Sequence, residues 1–178
     1  AGKRLELLKV AVPQARRVAY LSPPADASTR LQLHEASQAA ATLGIELSAV
    51  EVADGDYARA FEAMAARSPQ ALMVAAHTFF VRDRAQIIAL TAQHKLPAIY
   101  EWREQVVDGG LMAYSTSLYG LMQRLAWYVE RILKGAKPGD LPVERPTTFE
   151  LVINLETAKA LGLPIPPSLL LRADEVIQ

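Results

Sequence analysis

Side chains that could bind a small molecule follow three short apolar runs of the sequence, at 17–21, 71–76 and 98–100. Hydroxyl and imidazole groups donate and accept hydrogen bonds, a carboxylate can pair with a ligand amine, and aromatic rings can stack on a ligand. Together they predict a binding role. The candidate ligand contacts are Ser22, Pro23, His77, Thr78, Phe79, Tyr100, Glu101 and Trp102, joined by Tyr114 after a fourth apolar run.

Several of these candidates allow two interpretations. His77 is either a ligand contact or a solvated histidine at a strand end, whereas His34 and His94 are interpreted as surface residues. Either Phe79 or the phenylalanine beside it is expected in the core. Tyr100 and Trp102 alternate with Glu101 along an extended segment, so either the two aromatic rings or the carboxylate faces the ligand.

Motifs for catalysis, cofactors and metals are missing from the sequence. No glycine-rich phosphate loop follows an apolar run, and no G-x-S-x-G motif occurs. The chain has no cysteine, and its three histidines lack ligand spacing. We therefore predict no catalytic residue, no metal site and no cofactor. The 19 basic residues balance the 19 acidic ones, which argues against nucleic acid as a partner.

The apolar runs alternate with helical patterns, and this alternation predicts how the candidate residues are positioned. Strands at 17–21, 45–52, 71–76 and 98–100 are separated by helical stripes, the first of which Ser28 or Asp26 can cap. Another stripe is formed by Val81, Ala85, Ile88, Ala89 and Ala92. We predict a three-layer α/β/α fold with a mostly parallel sheet and strand order 2-1-3-4. The ligand crevice is then expected at the carboxyl ends of strands one and three.

The last third of the chain is less regular. Residues 111–114 are predicted to form a strand, and a strong apolar stripe predicts a helix that packs in a core. That stripe consists of Leu118, Leu121, Leu125, Tyr128 and Ile132. A linker containing Pro138 and Pro142 leads to a strand at 149–153 and a short helix that ends at Gly162.

Several segments resemble substrate-binding proteins of ABC transporters of the tryptophan/tyrosine type, most specifically those between 132 and 144. The segments are 2–9 (GKRLELLK), 12–13 (VP), 17–21 (RVAYL), 109–114 (GGLMAY), 132–138 (ILKGAKP), 140–144 (DLPVE), 149–155 (FELVINL), 158–162 (AKALG) and 165–177.

The resemblance implies a type I periplasmic binding fold, in which two lobes close on a ligand without catalysis. Residues 1–16 would be a lead-in helix and hinge, 17–102 the second lobe, 103–137 a segment of the first lobe, and 138–178 the return strand, short helix and tail. The chain would be a C-terminal fragment lacking most of the first lobe, with a signal segment lost. The segment 111–133 could then form a dimer.

The family often has Asn at the position of Ser22 and Asp at that of His77. These two departures favour an aromatic or carboxylate-bearing ligand, with amino-acid-like compounds left open. The resemblance also implies a membrane permease as partner and a periplasmic or lipid-anchored location. One alternative is the ligand-sensing domain of a transcription regulator with the same fold. A second is a flavodoxin-like or hydrolase-type enzyme, which would need a phosphate loop or a nucleophile with its base.

Overall fold

The computed structural model of this chain describes residues 1–24, 27–144, 146 and 148–178. Asp26, one of the two predicted helix caps, lies outside these residues. The described helices are α1 (Gly2–Ala11), α2 (Ala27–Leu43), α3 (Tyr57–Ala65), α4 (Thr78–Arg82), α5 (Arg84–Gln93), α6 (Arg103–Val107), α7 (Leu118–Leu133), α8 (Leu155–Ala160) and α9 (Pro167–Leu170), with a 3-10 turn at Pro138–Asp140.

The described strands form one mixed sheet in the order β2-β1-β3-β4-β5-β6-β7. They are β1 (Arg17–Ser22), β2 (Glu46–Glu51), β3 (Ala71–Val74), β4 (Ala98–Tyr100), β5 (Met112–Thr116), β6 (Phe149–Asn154) and β7 (Glu175–Ile177). The first five strands are parallel, and the predicted order 2-1-3-4 is confirmed. Only the β5–β6 pair is antiparallel among the described strands.

The sheet is flanked by helices because its crossovers leave β1 and β3 in opposite directions. All four residues of β3 are buried, and the continuous apolar run of this segment is typical of a strand that is covered on both faces. In α3, Asp56 accepts a hydrogen bond from the backbone N–H of Arg59, and Phe61 and Met64 turn into the core.

The predicted helical stripe between 81 and 92 is wrong. The structure has two helices there, α4 and α5, and their buried residues are Phe80, Ile87 and Thr91, whereas Ala85, Ala89 and Ala92 are exposed. The break at Asp83 starts a new helix with its own phase. A single 3.6-residue period across the break therefore selects the wrong face.

Helix α7 also departs from the prediction that its apolar stripe packs in a core. All of its residues are described, and none is buried. Met122 and Leu125 are 54% and 56% exposed, and Leu133 is 82% exposed. Residues 103–116, by contrast, contain α6 and β5, and β5 extends the sheet by pairing with β4. The apolar stripe of α7 thus remains without cover in the part of the chain that is described.

Candidate ligand-binding site

The carboxyl ends of β1, β3, β4 and β5 meet at one edge of the sheet, because these strands are parallel neighbours. The loops that leave this edge carry most of the candidate residues. Connections from β1 and β3 depart in opposite directions, which opens a crevice between them. This crevice is the candidate binding site.

At the end of β1, Ser22 is 8% exposed and its hydroxyl donates a hydrogen bond of 2.9 Å to the carbonyl of Pro23. Pro23 is buried, so this exit is a fixed wall of the crevice. A side chain of α2 holds the loop that follows β3. There Gln32 accepts a hydrogen bond from Ala76 N–H at 2.9 Å and donates to the Ala76 carbonyl at 3.1 Å.

His77 follows this clamp and is the N-cap of α4. Its Nδ1 accepts a hydrogen bond from Phe79 N–H at 3.3 Å, so a neutral imidazole carries its proton on Nε2. The ring therefore offers an N–H donor at a half-exposed position. Thr78 is exposed as the first residue of α4. Of the two phenylalanines, Phe79 is 48% exposed and Phe80 is 1% exposed, so the expectation that one packs in the core is confirmed.

A cavity of about 330 Å³ opens beside the His77 loop, at the carboxyl ends of β1 and β2. Phe79 and Pro23 line it, so two of the predicted contacts meet here. The other lining residues were missed in the sequence: Pro24, Val52, Asp54, Gly55, Tyr57, Phe80, Arg82 and Asp83.

Polar groups of this cavity are already paired. Tyr57 donates a hydrogen bond of 2.7 Å to Asp83, and Arg82 makes two bonds to the same carboxylate, at 2.6 and 2.7 Å. The hydrogen bonds from Arg82 and Tyr57 lower the pKa of Asp83 to about 2. Burial and the bond to Asp83 raise the pKa of Tyr57. Both groups therefore keep one protonation state around neutral pH, Asp83 ionised and Tyr57 neutral.

The three candidate residues at the end of β4 differ in exposure. Tyr100 is fully buried, and its hydroxyl lies 3.1 Å from the Thr91 hydroxyl of α5. Its prediction as a ligand contact is therefore corrected: the ring points into the helix layer below the edge. Glu101 and Trp102 are half-exposed and remain candidates at the edge.

Glu101 lies near a buried cation, Arg4 of α1. Arg4 is 5% exposed and donates a hydrogen bond of 2.9 Å to the carbonyl of Val74, the last residue of β3. Burial raises the pKa of Glu101 and the charge of Arg4 opposes that shift. Burial also lowers the pKa of Arg4 and raises the pKa of Tyr20 to about 12. The Tyr20 hydroxyl is enclosed without a hydrogen-bond partner among the described residues.

Trp102 lines a second cavity of about 430 Å³ at the ends of β4 and β5. Arg103 and Glu175 form a two-fold ion pair in its wall, with both N–O distances 2.6 Å. The predicted contact Tyr114 lies on β5 and stacks on Phe149 of β6, with ring centroids 5.5 Å apart. The two cavities thus separate the predicted contacts: Pro23 and Phe79 line the first, and Trp102 lines the second.

Within the described residues, no group of three or more His, Asp or Glu side chains is arranged to hold a metal ion. Each helix of the described chain is too short or too polar to cross a lipid bilayer.

A parallel sheet with a crevice at its switch point, lined by half-exposed aromatic and imidazole groups, defines a ligand-binding α/β domain. The family model for ABC transporter substrate binding proteins matches residues 1–177, and the chain belongs to this family. No curated protein sequence matches the chain.

Solved structures agree with this assignment. An ABC domain from Streptococcus pneumonia in complex with L-Trp is 25% identical with a TM-score of 0.88, and the match covers 99% of this chain and 61% of that one. A conserved domain protein from Vibrio cholerae is also 25% identical with a TM-score of 0.88, over 98% of this chain and 59% of that one. A ligand-free, open substrate binding protein with adhesive properties from Clostridium difficile has the same fold, at 18% identity and a TM-score of 0.70, over 99% of this chain and 59% of that one. The chain therefore spans about 60% of the length of these relatives.

Proposed function

We propose that the chain is part of the solute-binding component of an ABC importer and that it binds a small molecule without catalysis. Family membership supports the solute-binding role, since proteins of this family generally bind rather than transform their ligands. The observation that carries the proposal is that the imidazole of His77 and the half-exposed rings of Phe79 and Trp102 follow two neighbouring parallel strands, β3 and β4, at one edge of the sheet.

The groups at this edge favour an aromatic ligand that carries a carboxylate or carbonyl. Nε2 of His77 can donate to such an acceptor, and the ring of either Phe79 or Trp102 can stack on an aromatic ligand. Glu101 can accept a hydrogen bond from a ligand N–H or O–H. The relative in complex with L-Trp supports the aromatic class and keeps amino-acid-like ligands in the proposal.

We further propose that α7 belongs to a first lobe of a longer protein. The helix leaves the sheet after Thr116 and has no buried residue, which fits a segment whose packing partner is another lobe. A groove of about 440 Å³ between α7 and the segment around Glu144 supports this assignment. In residues 1–178 alone, a second copy would cover the apolar face. A monomeric mass at high protein concentration would contradict that dimer.

The location and the partner follow from the same role. A solute-binding component works outside the cytoplasmic membrane, either free in the periplasm or lipid-anchored, and delivers its ligand to a membrane permease. Fractionation of cells that express the full-length gene product tests the location: recovery in the cytosolic fraction would contradict it.

The binding proposal is tested by calorimetric titration of the full-length gene product with L-tryptophan, benzoate and glucose. A compound bound only by the native state should also raise the melting temperature, with about 2.7 kcal/mol of stabilisation at a concentration of 100 times Kd. We expect binding of an aromatic carboxylate and none of glucose. Absence of binding by every aromatic and carboxylate compound in a wider panel would contradict the proposed ligand class.

Variants at His77 separate its two roles. His77→Ala removes both the helix cap and the ligand donor, whereas His77→Asp keeps a capping oxygen and has no donor when ionised. We expect both variants to weaken binding about 2- to 10-fold, because one hydrogen bond contributes roughly 0.5–1.5 kcal/mol. Only His77→Ala should also lower stability. His34→Ala, at an exposed position of α2, is the matched control.

A further inference from the structure

A buried glutamine joins two segments at the edge of the sheet that carries the candidate residues. Gln105 of α6 is 1% exposed. Its Oε1 accepts a hydrogen bond from Trp102 N–H at 3.0 Å, and its Nε2 donates to the Phe80 carbonyl at 3.2 Å. One side-chain amide therefore connects α4, whose N-cap is His77, with the β4–α6 loop, which presents Trp102.

Both backbone partners need this amide. Phe80 lies in the last turn of a five-residue helix, where carbonyls lack an intrahelical donor, and Trp102 is the N-cap of α6. A planar amide fits the pair because it supplies one acceptor and one donor at a fixed separation. An aliphatic side chain of similar size would leave both backbone groups unpaired.

We propose that Gln105 is a positioning residue that holds α4 and the β4–α6 loop in one fixed arrangement, and so sets the spacing between His77, the N-cap of α4, and Trp102. Gln32 acts differently, since it clamps Ala76 of the β3–α4 loop to α2 and bonds neither α4 nor the β4–α6 loop. The consequence for ligand binding rests on the proposed function, whereas the coupling of α4 to the β4–α6 loop does not.

Asn154 provides a matched control. It is also a buried amide with two hydrogen bonds, donating to the Val106 carbonyl at 3.2 Å and accepting from Thr157 N–H at 2.9 Å. Its partner Val106 is adjacent to Gln105 in α6. Asn154 lies at the end of β6, at the opposite edge of the sheet, and bonds neither α4 nor the β4–α6 loop.

The test compares Gln105→Leu with Asn154→Leu in the full chain carrying Trp127→Phe, which leaves Trp102 as the single tryptophan. Amide hydrogen exchange is measured by NMR under native conditions, and the exposure of Trp102 by acrylamide quenching. We expect Gln105→Leu to speed exchange at the Trp102 amide at least about 10-fold and to raise quenching. The Phe80 amide bonds the His77 carbonyl within the first turn of α4, and its exchange should also speed up because α4 loses the bond that holds it to Gln105. Asn154→Leu should lower the melting temperature without these local changes.

Equal changes in both variants would overturn the proposal, because Gln105 would then act only as a core residue. Gln105→Glu decides the matter even if Gln105→Leu fails to fold. At about pH 5 the introduced carboxyl is buried and protonated, so it can still accept from Trp102 N–H and donate to the Phe80 carbonyl. At about pH 9 its ionised form still accepts from Trp102 N–H but cannot donate to Phe80. The bond to α4 is then lost, so acrylamide quenching of Trp102 should match the unsubstituted chain at the lower pH and exceed it at the higher one. Quenching that matches the unsubstituted chain at both pH values would contradict the proposal.

Titration with L-tryptophan extends the test to binding. If the probe binds, we expect Gln105→Leu to weaken it about 10-fold and Asn154→Leu to leave it unchanged. If the probe fails to bind the unsubstituted protein, the ligand assignment fails, while the exchange data still decide the coupling. Equal affinity in both variants would contradict the proposed effect on the site.

Discussion

Gly110 lies where a single methyl group has no room. It precedes β5, and a Cβ added there would lie 2.6 Å from the carbonyl oxygen of Gln105 and 2.7 Å from the ring of Tyr100. Neither neighbour can retreat easily. The Gln105 carbonyl is backbone and accepts a hydrogen bond from Gly110 N–H at 2.8 Å, and the Tyr100 ring is fully buried with its hydroxyl held by Thr91.

The substitution Gly110→Ala should therefore destabilise the fold. Overpacking of a closed core costs roughly 1–3 kcal/mol, and the stiffer unfolded chain offsets about 0.4–1 kcal/mol of that. The net loss is about 1–2 kcal/mol. In a chain of this length that corresponds to a fall of roughly 2–8 °C in the melting temperature.

Urea unfolding followed by far-UV circular dichroism measures this loss, with Gly139→Ala as the control. Gly139 is exposed and a Cβ there meets no atom within 4 Å among the described residues, so its substitution should raise the midpoint slightly through the same stiffening of the unfolded chain. If both variants unfold at the same urea concentration, the space between Tyr100 and the Gln105 carbonyl is not closed, and the reasoning fails.

Two pH-linked outcomes follow from the site. Because Arg82 and Tyr57 hold the pKa of Asp83 at about 2, below its ordinary value of 3.8, Asp83 stabilises the fold above about pH 4, and this contribution is lost as the pH falls through 2. Acid unfolding of Asp83→Asn should therefore be less steep between these values, and an identical profile would contradict the assignment. Arg4→Met should raise the pKa of Glu101 further, since the opposing positive charge is lost; carboxyl NMR titration measures it, and an unchanged or lower pKa would refute the link.

Much of the sheet could be predicted from the sequence, because β1, β3 and β4 are short apolar runs separated by clear turn and helix signals. Short-range periodicity failed where two helices follow each other without a loop, as at Asp83 between α4 and α5. It also failed for α7, because an apolar stripe indicates that a helix packs but not whether its partner lies in the same chain.

The edge of the sheet at which the candidate residues lie could be predicted, but the arrangement of their side chains could not. Strand-end reasoning placed His77 and Trp102 there, yet it could not decide that Tyr100 turns inward. The contacts that organise the site join residues far apart in sequence: Gln105 bonds Phe80 across 25 positions, and Tyr57 bonds Asp83 across 26. No local pattern marks such pairs, since each partner is an ordinary residue in its own segment.

The antiparallel pair of β5 and β6 has a consequence for how this domain can be remodelled. Thr116 and Phe149 are directly paired, so the chain leaves the sheet and returns to it at adjacent points. Residues 117–148 thus connect the two strands of an antiparallel hairpin. A two-residue turn such as Asn-Gly could close that hairpin and leave every described strand of the sheet in place. The same junction would accept a foreign domain whose termini lie close together, which makes it a natural point for building ligand-reporting fusions.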